Sequence, residues 1–371
     1  MKGSRPGAAN RSPAAARVLA RFWTALVIVL GGGAAALQWL GPPPANAPAP
    51  QHLAATVPDH APLAPTALAP SAASTPAAPT SPIPTPPTAS QAPIPSQPNR
   101  PIAAPIPALL EPAPGNPKAL LPRIGANGLT PMVAYAGSFN QADPRPRIGL
   151  VLAGIGLSAE ESRTAIENLP GAVTLAFSPY APDPADLMKL ARSKGHEILI
   201  SLPLEPEGYP LNDAGDESLL VGAPPGQNSS RLDWSLARIE GYVGATGAMD
   251  GLYGQRFAAA PDLFATLEHR LSARGLLYID PRPGKPEPAL VAGRTADVIV
   301  DEPPVAPTIE ANLKKLETLA RAHRSALGVI GWPGPRTVSE VTKWVATLGQ
   351  AGFVLAPVTA LVRHPTAAAK H

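Results

Sequence analysis

The chain is 371 residues long, with 51 prolines, no cysteine and a formal net charge of +3. The absent cysteines exclude disulfides, thiolate metal sites and a cysteine nucleophile, and the proline load beside only 15% charged residues excludes a packed core over the full length. Residues 1–142 hold eight Lys or Arg against two acids, +6, which leaves −3 for the rest, so the basic balance offers no case for nucleic-acid binding by the remainder.

Lys2, Arg5, Arg11, Arg17 and Arg21 stand in the first 21 residues without an acid, which reads as a basic cytoplasmic tail. Residues 22–40 are uncharged and largely apolar, with Trp23 and Trp39 near the ends, and these nineteen residues suffice for a transmembrane helix. The expectation is a single-pass anchor in the inner membrane, N-terminus inside, with the C-terminal domain in the periplasm of a bacterium. Ala45-Asn46-Ala47 leaves a cleaved signal peptide as the alternative. Residues 41–142 are dominated by Pro, Ala, Ser and Thr and are expected to be a disordered, extended linker. Leu120, Leu121, Ile124, Met132, Val133 and Tyr135 give its last part the apolar character to dock onto a domain.

From 143 to 363 short apolar runs alternate with amphipathic ones, and 364–371 read as a disordered tail. Strands are predicted over 148–152, 173–177, 198–202, 242–245, 276–279, 298–300, 327–330 and 353–356. Helices are predicted over 159–168, 184–194, 229–239, 261–274, 308–324 and 337–348. Pro261 and Gly275 punctuate one helix at its start and end, and Gly195 closes another. The stretch GHEILISLPLEPEGYP (195–210) packs a helix end, a strand and a proline-stopped loop carrying Glu205 into sixteen residues. Seven or eight βα units in this length suit an α/β fold, a distorted (β/α)7-8 TIM-like barrel, with an open doubly wound sheet as the alternative.

In such folds ligands sit where strands deliver their C-terminal ends. The loops there carry Glu205, Asp250, Arg256, Asp280, Arg282, Asp301 and Trp332. Acids, arginines and an aromatic ring suit a polar ring-shaped ligand such as a sugar; ordinary loop salt bridges are the competing reading. Glu205 and Asp280 are the candidate catalytic carboxylates, and Arg256, Arg282, Asp250 and Trp332 the candidate substrate contacts. His196, His269 and His323 form no paired ligand motif, so no metal or other cofactor is expected.

RPRIGLVLAGIGLS (145–158), LPGAVTLAFSPYA (169–181), GHEILISLPLEPEGYP (195–210), GYVGA (241–245) with GQRF (254–257), and RGLLYIDPRP (274–283) together resemble the divergent polysaccharide deacetylase family over about 121–362. The resemblance implies a distorted βα barrel in which zinc or another divalent metal, held by Asp and His, polarises an acetamide carbonyl and activates water. Better-equipped members end the first strand in Asp-Asp, where this chain has Ala153 and Gly154, and start the third strand's motif with His, where it has Ser201. A histidine is also missing from 246–257, which runs about four residues longer, and the late Gly-His-Pro reads Gly331-Trp332-Pro333. Retained are Glu205, Arg256, Asp280 and Arg282. The expectation is a membrane-anchored relative that binds or acts on cell-envelope glycan with its metal site lost. A metal-independent glycoside hydrolase using Glu205 and Asp280, or a non-catalytic envelope scaffold, are the alternatives; Asp250, Asp280 and Asp301 stay open as a rebuilt metal set.

Overall fold

The computed structural model describes residues 100–365. The expected basic tail, the anchor over 22–40, the linker up to residue 99 and residues 366–371 lie outside the described residues. Among the described residues no helix is long and apolar enough to cross a membrane.

The chain enters as a hairpin, β1 (Leu110–Ala113) against β2 (Asn116–Pro122), then makes one helical turn at Pro131–Ala134. The linker was expected to run to 142, and here the structure corrects that boundary. Leu109, Leu121 and Tyr135 are fully buried, and the Tyr135 hydroxyl accepts a hydrogen bond from the Ile106 amide at 2.8 Å. Regular apolar spacing is absent, but a few large side chains suffice to hold a proline-rich segment down when a barrel offers them a floor.

The βα repeat then follows: β3 (Arg147–Ile155), α1 (Ala159–Asn168), β4 (Thr174–Phe177), α2 (Ala185–Lys194), β5 (Ile198–Ser201), α3 (Gln227–Leu236), β6 (Gly244–Thr246), α4 (Pro261–Ala273), β7 (Leu277–Asp280), β8 (Gly293–Thr295), β9 (Val298–Ile299), α5 (Ala306–His323), β10 (Ser325–Ile330), α6 (Pro335–Leu348) and β11 (Val354–Leu355). Local chemistry sets the boundaries. Ser158 caps α1 by accepting the Glu161 amide, with Glu160 and Glu161 in its first turn. Gly195 ends α2 at φ 84° and returns its amide to Ala191 and Arg192.

Nine parallel strands form one sheet, eight of them in the order β8-β7-β6-β5-β4-β3-β10-β9 and β11 off that path against β3. β11 takes the first half of the β3 edge, at Arg147 and Ile148, and β4 takes the second half from Val151 onward. Alternate strand residues face two layers. Leu150, Leu152, Leu175, Phe177, Ile198, Ile200 and Tyr278 pack under the helices, whereas Val151, Ala153, Ala176, Leu199, Leu277, Ile279, Leu327 and Val329 fill a lumen to which no helix α1–α6 contributes. Helices on one face only rule out the doubly wound alternative, which covers both.

The sheet is thus the expected curled α/β barrel, with nine strands where seven or eight were predicted and no ladder between β8 and β9. The turn between those strands bridges the seam instead. Ala296 donates to the Asp280 carbonyl at 2.8 Å and Asp297 to that of Leu327 at 2.8 Å. The Asp297 carboxylate accepts from the Leu327 amide at 2.7 Å and from Arg294 at 3.0 Å.

Candidate functional site

The loops leaving the C-terminal ends of the strands form the mouth of the barrel. β5 stops at Ser201, and the chain runs through Pro203 to Glu205, whose amide donates to the Leu219 carbonyl at 2.9 Å. The Glu205 side chain is buried and fully engaged. One oxygen pairs with Arg256 Nη1 at 3.0 Å, the other accepts the Val221 amide at 2.6 Å, and the Glu205 carbonyl accepts the amides of Arg256 and Phe257. One residue therefore ties three loops together.

Asp280 ends β7 on the face shared with Tyr278, the helix-packed layer and not the lumen. Its carboxylate accepts the Arg282 amide at 3.1 Å and grips the guanidinium at 2.8 Å and 2.6 Å, while that guanidinium stacks on Phe264. Such bidentate pairs are rigid and charge-assisted. Glu205 and Asp280 thus each meet their own arginine, and no hydrogen bond or ion pair joins Glu205 to Asp280 among the described residues.

Asp301 accepts the amides of Gly331 at 2.8 Å and Trp332 at 3.2 Å, and burial pushes its carboxyl above the usual range. Trp332 itself is 46% exposed at the rim. Asp250 lies exposed at φ 49° in the turn between Met249 and Leu252. His196 is buried at the opposite end of β5, its ring nitrogens 2.8 Å and 3.1 Å from the carbonyls of Val173 and Ile166, and burial lowers its pKa. His269 and His323 are exposed on α4 and α5.

The longer loop 246–257 decides what the mouth can do. Ala248 and Tyr253 pack into the lumen layer beside Val151 and Ala153. Tyr253 is buried among carboxylates, Asp301 and Glu302, and its phenol is held well above its ordinary range, first by burial and then by those charges. A Cβ on Gly331 would lie 3.0 Å from the Tyr253 hydroxyl, and one on Gly154 would lie 3.0 Å from Pro333. The strand-end positions 153, 154, 201 and 332 therefore offer a methyl, a backbone, a hydroxyl and an indole, the first three buried and the indole at the rim, with Tyr253 a plug in the lumen beside Ala153. Among the described residues no three His, Asp or Glu side chains stand together as a metal site, and Asp250, Asp280 and Asp301 do not converge. A divalent metal does not fit this donor set.

Beside the plug a cavity of about 620 Å³ opens, lined by Glu207, Tyr253, Gln255, Arg282, Lys285 and Glu302 among others. That is within the roughly 300–1,000 Å³ of small-ligand sites. Of the candidate contacts only Arg282 lines it; Asp250 lines a second cavity of about 350 Å³ with Tyr180, Asp213 and Asp216. Glu207, Tyr253, Lys285 and Glu302 escaped the sequence reading. Each stands within a few residues of a strand end, which was the available signal, but only the loop conformation turns them to one space.

The divergent polysaccharide deacetylase model matches residues 150–362. An uncharacterised protein of Haemophilus influenzae is 26% identical over 201 residues, 52% of this chain and 69% of its own. The crystal structure of an uncharacterised Agrobacterium tumefaciens protein aligns at 34% identity with a TM-score of 0.61, over 66% of this chain and 100% of the other. The catalytic domain of a peptidoglycan N-acetylglucosamine deacetylase from Eubacterium rectale aligns at 13% identity and a TM-score of 0.40, over 62% of this chain and 96% of the other.

Proposed function

The chain belongs to the divergent polysaccharide deacetylase family, and from that membership we propose that it binds cell-envelope carbohydrate at the barrel mouth without metal-dependent deacetylation. The observation that carries this reading is that the positions where the family resemblance implies metal ligands hold Ala153, Gly154, Ser201 and Trp332, with Tyr253 buried in the lumen beside Ala153 and an open cavity with polar lining next to it. Arg282, Lys285, Gln255, Glu207 and Glu302 give that cavity donors and acceptors for sugar hydroxyls, and the Trp332 rim offers an apolar face for a ring. A glycoside hydrolase built on Glu205 and Asp280 is disfavoured, because a general acid or nucleophile must reach the glycosidic bond and both carboxylates are occupied by arginine and backbone donors.

The reading includes an inner-membrane anchor over 22–40 with the domain in the periplasm, supported by the basic residues before an uncharged nineteen-residue span. Protease added to spheroplasts should then digest the domain but spare it in intact cells. For the site itself, calorimetry of the full chain with N-acetylated glycan oligomers should register binding that zinc and chelator leave unchanged, with no acetate released. Chelator-sensitive acetate release would overturn the proposal.

A further inference from the structure

At the opposite end of the barrel, beneath the N-terminal ends of β3 and β10, a separate cavity of about 320 Å³ is lined by Arg145, Arg147, Arg294, Arg324 and Arg363, with Asp143 as its one carboxylate. Two further acids reach the cluster from its edge, Asp297 at 3.0 Å from Arg294 and Glu287 at 3.7 Å from both Arg294 and Arg363. Five guanidinium groups thus face three carboxylates, an excess of two positive charges in one concave space.

The arginines differ in how far they are already occupied. Arg145 is committed to Asp143 at 2.6 Å, and Arg147 to Gln141 and the Ala360 carbonyl while stacking on Phe139. Arg324, exposed and at φ 67°, donates one nitrogen to the Pro144 carbonyl. The Arg363 side chain is 68% exposed with Glu287 as its one distant partner. Arg294 is 5% exposed, donates to Ser325 and Asp297, and its buried Nε has no hydrogen bond, with the Glu287 carboxylate 3.7 Å away as an ion-pair partner. A buried donor without a hydrogen bond is costly even with a carboxylate nearby, and an acceptor arriving in the cavity at hydrogen-bond distance would relieve it. Guanidinium forks match the paired oxygens of phosphate, which lysines would meet only as point charges.

We propose that this arginine-lined cavity binds a phosphate group, as a phosphate monoester or as the phosphodiester of a lipid headgroup, on the face of the barrel remote from the glycan cavity. Arg363 and Arg324 supply the reachable charge and Arg294 the buried donor, and the site does not depend on what the mouth binds.

The test is calorimetry of the full chain with inorganic phosphate and, separately, with glycerophosphoglycerol as a soluble headgroup probe. The proposal expects saturable binding of at least one of them, weakening as salt is raised, and a loss of about tenfold or more in affinity in the double variant Arg324→Asn/Arg363→Ser. Asn tolerates the left-handed backbone at 324, and an unchanged melting temperature shows that the variant folds. Tighter binding of inorganic phosphate identifies a soluble phosphate as the ligand class, and tighter binding of the diester identifies a headgroup. Absence of binding to both probes, or binding that the double variant leaves unchanged, overturns the proposal.

Discussion

Glu205 gives one carboxylate oxygen to Arg256 and the other to the Val221 amide, the arginine pairing that stood as the competing reading of this residue. The asymmetry of that pair makes a prediction. The Glu205 side chain is 3% exposed and that of Arg256 is 55% exposed. Glu205→Ala strips a buried hub and leaves the Val221 amide without its acceptor, which should cost about 2–4 kcal/mol in urea unfolding. Arg256→Ala leaves the Val221 amide on one carboxylate oxygen and, by removing a 55% exposed side chain, opens the other to solvent, so its cost should be smaller, about 1–2 kcal/mol. Equal losses would mean that Glu205 is not the organising member. For Asp280 the strand was predicted over 276–279 with this residue in the loop, whereas β7 runs on to Asp280, and alternation with Tyr278 turns its side chain toward the helices, away from the lumen.

At the scale of elements, Glu197 fastens three of them. Standing just before β5, it accepts the Gly137 amide at 2.8 Å, the Thr359 amide at 3.2 Å and hydroxyls from Thr174 and Thr359, so that the N-terminal segment, β4 and the C-terminal turn meet on one carboxyl. Burial raises its pKa above the ordinary 4.5 and outweighs those donors. A carboxyl that holds its proton more tightly folded than unfolded makes stability fall as pH climbs from its unfolded value through its raised folded value, after which the penalty is constant. Glu268 and Asp301 are shifted upward by burial as well, so the decline is shared. Glu197→Gln should lower stability at low pH, since its amide group would face donors, yet remove up to about 1.4 kcal/mol per pH unit from the decline above pH 4.5. Urea titrations across that range would read it, and an unchanged slope would show that Glu197 does not titrate there. Nothing in the sequence marked this residue, because all four of its donors come from segments distant in the chain or from a turn.

On the scale of the whole molecule, the folded unit begins well before 143. Leu121 is fully buried in the helix-side core although it follows a long proline-rich run. Leu121→Ala should therefore cost about 2–5 kcal/mol, as for other fully buried leucines, and a chain started at Asp143 should melt lower than one started at Arg100. Matching melting temperatures would return 100–142 to the status of a spacer. Helices α1–α6 and eight of the strands came from the sequence alone, though not the β1–β2 hairpin or β8, because apolar periodicity, capping residues and Gly or Pro breaks are local and each βα unit repeats the same code. The Ala, Gly, Ser and Trp at 153, 154, 201 and 332 are likewise read directly, and only the family resemblance marks those places as ligand positions. The ninth strand, the open seam at β8 and β9, the Tyr253 plug and the arginine-lined floor were decided only by the tertiary structure. Each depends on which residues from separate loops end in one volume, and curvature of the sheet, which no local pattern encodes, determines that.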